Sequence, residues 1–398
     1  MPLLHKGPLQ GFYFPDYDGE SILNLVASII RSRGGQSPHR ELRGLDARRL
    51  AGARRLVYLI VDGLGEDQLG LHIASGGGAR FLGALPHRTI STVFPATTAA
   101  AITTLTTGAS PAEHGILGWH LHLPDLGMVS TILPATTRTG MPIAGTGFSL
   151  RDYLRLPSHV ETVPCPTELI SQGAIPRSRY SLAGTRWTRR FSFNTLKGLE
   201  RRILAFARRR GPGLAHAYWP DYDGICHAVG CGGRLASAHL EEIDAFLDRI
   251  VSRLRGTGTA LVVTADHGLV DARPGCSLEL RGIPDLYDCL AVLPSGDARG
   301  VHCLVRPARV REFLATVRKH LSRACACVPG KDLLESGAFG PGEPHAALPS
   351  RVGDFILLAR EGCGFAATPA GFETHFKVGN HGGMSAAEML VPLWVVGP

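Results

Sequence analysis

Three stretches of this chain share one pattern: an apolar run that ends on an aspartate. Leu56-Val57-Tyr58-Leu59-Ile60-Val61 is uninterrupted by any charge and stops at Asp62-Gly63-Leu64-Gly65. Leu214–Tyr218 leads into Asp221-Tyr222-Asp223-Gly224, and Thr259–Thr264 leads into Asp266-His267-Gly268. A continuous apolar run of this length is expected of a strand covered on both faces, as in a parallel sheet. Between the last two runs, Leu240, Ile243, Phe246, Leu247 and Ile250 recur on one face of a helix predicted over Leu235–Leu254. The pattern therefore predicts an α/β fold. In such sheets ligands bind outside the carboxyl ends of the strands, where these aspartates fall. A single Asp there is commonly a turn or helix cap; three of them, one followed directly by His267 and another four residues before His227, point to a shared site.

The rest of the chain organises around that core. A helix is predicted near Ser21–Arg31, and Met389–Val396 regains strand character and should rejoin the main sheet. Residues 276–369 differ in texture. They carry short strands at Val301–Val305 and Asp354–Leu358, a helix at Val310–Leu321, and loops such as Phe339-Gly340-Pro341-Gly342. The expected organisation is a catalytic domain over 1–275 and 370–398, interrupted by an inserted α+β subdomain over 276–369 that resembles a cap. At 398 residues the chain is long enough for one large α/β domain with such an insert.

Composition excludes several classes. No run of 18 apolar residues exists, so no membrane span is expected. The opening residues lack the basic and apolar regions of a secretory signal. Nine cysteines, an odd number with no zinc-ribbon spacing, read as reduced thiols of a cytoplasmic protein. The net charge of +8 suits a phosphate-bearing ligand, but no nucleic-acid motif accompanies it.

Chemistry-bearing residues cluster in few places. Ala99–Thr107 predicts a helix that Gly108 would cap. Thr97 or Thr98 then stands at its N-terminus, where the macrodipole and free N–H groups favour an anion. Asp223 and His227 can share one ion if their segment starts a helix. His381 lies in Gly379-Asn380-His381-Gly382-Gly383, where the glycines permit close backbone approach. Carboxylate and imidazole donors without Cys suit zinc or a similar ion in a reactive site.

Taken in order, Asp62, Thr98, Asp223-x-x-x-His227, Asp266-His267 and His381 resemble the alkaline phosphatase superfamily. The likeness is to its type I phosphodiesterase/nucleotide pyrophosphatase branch. Further phrases carry it: Val61-Asp62-Gly63, Thr107-Gly108, Pro111-Ala112-Glu113-His114-Gly115, Ala265-Asp266-His267-Gly268 and His381-Gly382-Gly383. The resemblance implies an alkaline-phosphatase-like sandwich with a mostly parallel central sheet and helices on both faces. It implies two divalent ions, zinc first and manganese or iron as alternatives. Asp223, His227 and His381 would hold one; Asp62, Asp266, His267 and the Thr98 oxygen would hold the other. Counting back from Thr107-Gly108 places the nucleophile on Thr98 rather than Thr97. The implied reaction is hydrolysis of a phosphodiester or pyrophosphate bond in a small phosphate ester, a nucleotide included, through a covalent threonyl intermediate.

The chain departs from the branch at one slot. Where an Asn is expected after His114-Gly115, this sequence has Trp119, with His120 and His122 as neighbouring donors. An indole donates one hydrogen bond and accepts none. This keeps monoester and phosphonate substrates open, so a phosphomonoesterase or phosphotransferase on the same core stands as the alternative. A non-catalytic metal-binding protein is the other alternative; loss of a ligand or of Thr98 would favour it, and none is missing.

Overall fold

The apolar runs form strands for the reason their composition suggests: every residue of Arg55–Val61, Gly213–Trp219 and Thr259–Thr264 is buried. Such strands need cover on both faces, which helices supply. The structure is a computed structural model describing residues 9–45, 47–143, 149–360 and 362–398. Its first sheet has seven strands in the order 88–91, 390–396, 259–264, 55–61, 213–219, 167–172 and 189–193. The last five in that order run parallel. Leu390–Val396 rejoins the sheet as expected, but antiparallel to both of its neighbours. The central strands end level, with Val61 opposite Trp219 and Ile60 opposite both Tyr218 and Thr264. Asp62, Asp223 and Asp266 all follow these ends.

The helices match the sequence periodicity closely. Ile22–Ser32 is capped by Ser21, whose partner in a capping box is Asn24. Arg234–Leu254 buries Leu240, Ile243, Phe246, Leu247 and Ile250. Thr98–Thr107 ends on Gly108 in the left-handed region at φ 77°.

A second seven-stranded sheet, antiparallel throughout, runs in the order 325–329, 355–359, 300–303, 295–297, 120–123, 128–131 and 136–137. Residues 276–369 carry only a two-stranded parallel sheet of their own, 277–279 with 364–366; their four other strands share a sheet with 120–137. The join is narrow, because only Gly296 and His120 pair across it. Glycine is required there: Gly296 has φ +91°, and a Cβ on Gly118 would lie 2.5 Å from the Gly296 Cα.

Candidate metal centre and active site

Each predicted residue reaches the crevice by a distinct device. Asp62 follows its strand directly. Asp223 and His227 lie one turn apart on the helix Asp221–Val229, so both project to one side. Asp266 and His267 follow Thr264 by a short turn. His381 is placed by the strand Gly379–Asn380, which pairs with Val270–Asp271. The glycines allow that strand in: a Cβ on Gly379 would lie 2.7 Å from the Cys226 carbonyl oxygen, and one on Gly382 would lie 2.4 Å from the Asp297 Cβ.

The seven residues converge in two adjoining groups. In one, His227 Nε2 is 3.2 Å from Asp223 Oδ2, and His381 Nε2 is 3.8 Å from Asp223 Oδ1. In the other, His267 Nε2 is 3.5 Å from both Asp62 Oδ1 and Asp266 Oδ2, and 3.1 Å from Thr98 Oγ1. The groups touch through stacked imidazoles, with the His267 and His381 ring centroids 4.0 Å apart. Asp223 also comes within ligand range of Asp62 and His267.

Hydrogen bonds behind the ligand atoms set their chemistry. His227 Nδ1 lies 2.7 Å from the Gly379 carbonyl oxygen, and His267 Nδ1 lies 3.1 Å from that of Gly268. A carbonyl only accepts, so each Nδ1 carries the proton and each Nε2 presents a lone pair to the crevice. Tyr218 donates its hydroxyl to Asp62 Oδ2. Asp266 Oδ1 accepts from the Gly63 and His267 backbone N–H groups at 3.1 and 3.0 Å. Three carboxylate oxygens remain buried without a hydrogen bond: Asp62 Oδ1, Asp223 Oδ1 and Asp266 Oδ2.

Burial dominates the electrostatics. It raises the Asp62 carboxyl well above its usual range, with Asp266 and Asp223 adding repulsion. It raises Asp223 to about 6 against the pull of His267 and Lys377. It lowers His227 to about 4, and it lowers His381 with help from His267 and His227.

Thr97 is the N-cap of its helix and Thr98 the first helical residue. The Thr97 hydroxyl faces Asp297, whereas that of Thr98 faces His267. Thr98 stands where two cavities meet. One, of about 360 Å³, is polar and includes His120, Arg138, Lys377 and Asn380. The other, of about 460 Å³, is lined by Ile102, Leu133, Leu156, Tyr180 and Trp187. Trp119 borders both.

Sequence reasoning missed four contributors. Tyr218 holds Asp62. Asp297, raised by burial, accepts from the Trp119 backbone N–H at 2.9 Å. Lys377 comes from an exposed loop, and Arg138 donates to the Pro294 and Ala367 carbonyls at 3.2 and 2.6 Å. A basic residue four positions before His381 was the one available signal among these. Of the two histidines beside Trp119, His120 lines the polar cavity, but His122 turns away to the Ser350 carbonyl oxygen at 3.0 Å. His114 is structural: its Nδ1 accepts from Ile116 N–H, and its Nε2 faces Thr104 Oγ1 at 3.1 Å.

A largely parallel sheet with acidic and imidazole side chains gathered at its strand ends is an α/β architecture of the alkaline-phosphatase-like fold. Residues 56–384 match the family described as type I phosphodiesterase/nucleotide pyrophosphatase, and the chain belongs to that family. It is an enzyme of the phosphodiesterase/pyrophosphatase type. Solved structures agree in fold. Murine ectonucleotide pyrophosphatase/phosphodiesterase 5 superposes with a TM-score of 0.64 at 17% identity, over 86% of this chain and 88% of that one. An inactive variant of that murine protein in complex with AMP gives 0.65 at 16%, over 87% and 88%. Phosphonoacetate hydrolase from Sinorhizobium meliloti 1021, in complex with phosphonoformate, gives 0.64 at 17%, over 86% and 90%. No curated protein matches the sequence. No helix among the described residues is long and apolar enough to cross a membrane.

Proposed function

We propose that this enzyme cleaves a phosphodiester or pyrophosphate bond through a covalent intermediate on Thr98, with two divalent cations, zinc first among them. Asp223, His227 and His381 would hold one ion. Asp62, Asp266, His267 and Thr98 would hold the other. The donor set fits. Imidazole lone pairs and carboxylate oxygens face each other across the crevice, and unpaired buried carboxylate oxygens are costly unless a cation meets them. Bound there, the ions supply Lewis-acid stabilisation to oxygens that gain negative charge.

The chain's own residues perform the remaining work. Thr98 Oγ1 bonds to phosphorus as the bond to the leaving oxygen breaks, and the Thr98 proton is released to solvent. The free N–H groups of the first helical turn face the phosphoryl oxygens. Water then attacks the same phosphorus, the Thr98–phosphorus bond breaks, and Thr98 regains a proton. Tyr218 and the Gly63 N–H hold Asp62 and Asp266 in place.

The observation that carries the diester reading is the pair of cavities meeting at Thr98. A diester or pyrophosphate has two arms on its phosphorus and needs room on two sides; a monoester needs one. The polar cavity suits an anionic or hydroxylated arm beside Lys377, and the apolar one suits an aromatic ring, so a nucleotide is a fitting candidate. Residues 276–369 would act as a cap on the polar side, where Ser295 and Asp297 lie. Trp119 in place of Asn favours a second reading, a phosphonate or monoester substrate. Comparing bis-p-nitrophenyl phosphate, p-nitrophenyl phosphate and p-nitrophenyl phenylphosphonate on one preparation separates them. Faster monoester turnover would overturn the diester reading. The cysteines are all unpaired, which supports a reducing, cytoplasmic location.

A further inference from the structure

A separate group of ligand-type side chains lies at the far end of the Thr98 helix. His39, Glu113 and His159 each offer one atom, and these atoms all lie within 4.8 Å of one another. His39 Nε2 is 2.8 Å from Glu113 Oε2, and His159 Nε2 is 3.9 Å from Glu113 Oε1. The three come from the loop after Ile22–Ser32, the short helix Pro111–His114 and the 3₁₀ turn His159–Thr162. They are remote from the crevice. Gly108 closes the Thr98 helix against His159, a Cβ there lying 3.4 Å from the His159 Cβ. A ten-residue helix spans about 15 Å at 1.5 Å per residue.

The pairing within the group is incomplete. The side chains of His39 and Glu113 are only 3% and 10% exposed. Among the described residues Glu113 pairs with no Lys or Arg. Its Oε2 already accepts from the Ser110 N–H at 2.7 Å and faces His39. The buried His159 Nε2 has no hydrogen-bond partner. At 3.9 Å, His159 Nε2 and Glu113 Oε1 are too far apart for a hydrogen bond. The distance is close to that of two ligands on one ion: with zinc–ligand bonds of about 2.0–2.2 Å, tetrahedral partners stand roughly 3.4 Å apart. Gly342 leaves room beside the carboxylate, since a Cβ there would lie 2.4 Å from Glu113 Oε1.

We propose that His39, Glu113 and His159 form a further divalent-cation site, with zinc as its natural occupant, separate from the crevice. Two neutral imidazoles and one carboxylate are a zinc donor set, with a water as fourth ligand. The ion staples the loop at His39 and the turn at His159 to the segment that follows the Thr98 helix. It has no part in turnover.

Zinc content of the full chain, loaded and then dialysed, tests this. His159→Ala should remove about one zinc per chain and leave hydrolysis of bis-p-nitrophenyl phosphate within about twofold of the parent. His39→Gln should do the same; both keep the Ser110–Glu113 cap intact, and circular dichroism checks the fold. In an Asp223→Ala background, added zinc should still raise Tm, and His159→Ala should make that rise smaller, the remainder belonging to the intact crevice ligands Asp62, Asp266 and His267. Unchanged zinc content in both His159→Ala and His39→Gln overturns the site. Unchanged zinc content in Asp223→Ala overturns the crevice reading instead, so the two failures are distinct.

Discussion

The two cavities beside Thr98 differ in how they are built. The polar one is walled by loops and by the second sheet, with Lys377 and His375 on an exposed stretch and Ser295 and Asp297 on the strand 295–297. The apolar one is set into the first sheet and its nearest helices, with Ile102 on the Thr98 helix and Leu169 and His216 on sheet strands. The positive charge of Lys377 is thus presented by a loop, whereas the apolar wall draws on strands and a helix of the first layer. On the proposed diester reading, one arm of the substrate would be selected electrostatically and the other by fit.

Experiments can break this contrast, beginning where both sides should fail together. Thr98→Ala should lower kcat by at least roughly 10³-fold for every substrate, while zinc content stays at the parental level. Steady-state kinetics with metal analysis checks it; an active Thr98→Ala with an inactive Thr97→Ala would move the nucleophile. Chelation should likewise remove turnover on all substrates, and zinc should restore it; full activity in metal-free protein would sink the two-ion reading.

The next experiments separate the sides. Lys377→Ala should reduce kcat/KM about tenfold for a diester with a second negative charge, the scale of one charged hydrogen bond, and leave a neutral-armed diester little changed. Added salt should mimic this for the parent enzyme. Equal losses on both substrates would mean Lys377 does not read charge. The smallest effect is expected on the apolar side. Leu133→Val should raise KM for aromatic-armed diesters by about fourfold, the roughly 0.8 kcal/mol of the one methylene it removes, and be insensitive to salt.

The same division explains what the sequence disclosed. Strands 55–61, 213–219 and 259–264 are buried on both faces, so their burial is written as unbroken apolar runs, and the aspartates mark where those runs stop. Arg189–Phe193, at the edge of the same sheet, reads Arg-Arg-Phe-Ser-Phe and carries no such signal. The second sheet was legible only in part: strands 300–303 and 355–359 fall on the expected Val301–Val305 and Asp354–Leu358, but the sheet they join was not foreseen. Its strands span two to five residues, and its two halves meet only where Gly296 pairs with His120, a contact no local pattern encodes. The helix and its Gly108 cap were legible from composition and narrowed the candidates to Thr97 or Thr98; the choice of Thr98 came from the family resemblance. Lys377 and Arg138 were not, because they arrive from loops where position carries no periodicity.

The narrow join at Gly296 and His120 has a consequence for how such an enzyme can diversify. Every proposed ion ligand except His381 sits on the turn or helix that comes next after a strand of the first sheet, whereas the wall at 295–297 belongs to the second. A lineage could therefore exchange the strands on one side of that seam, and with them its substrate range, while inheriting the reactive core unaltered.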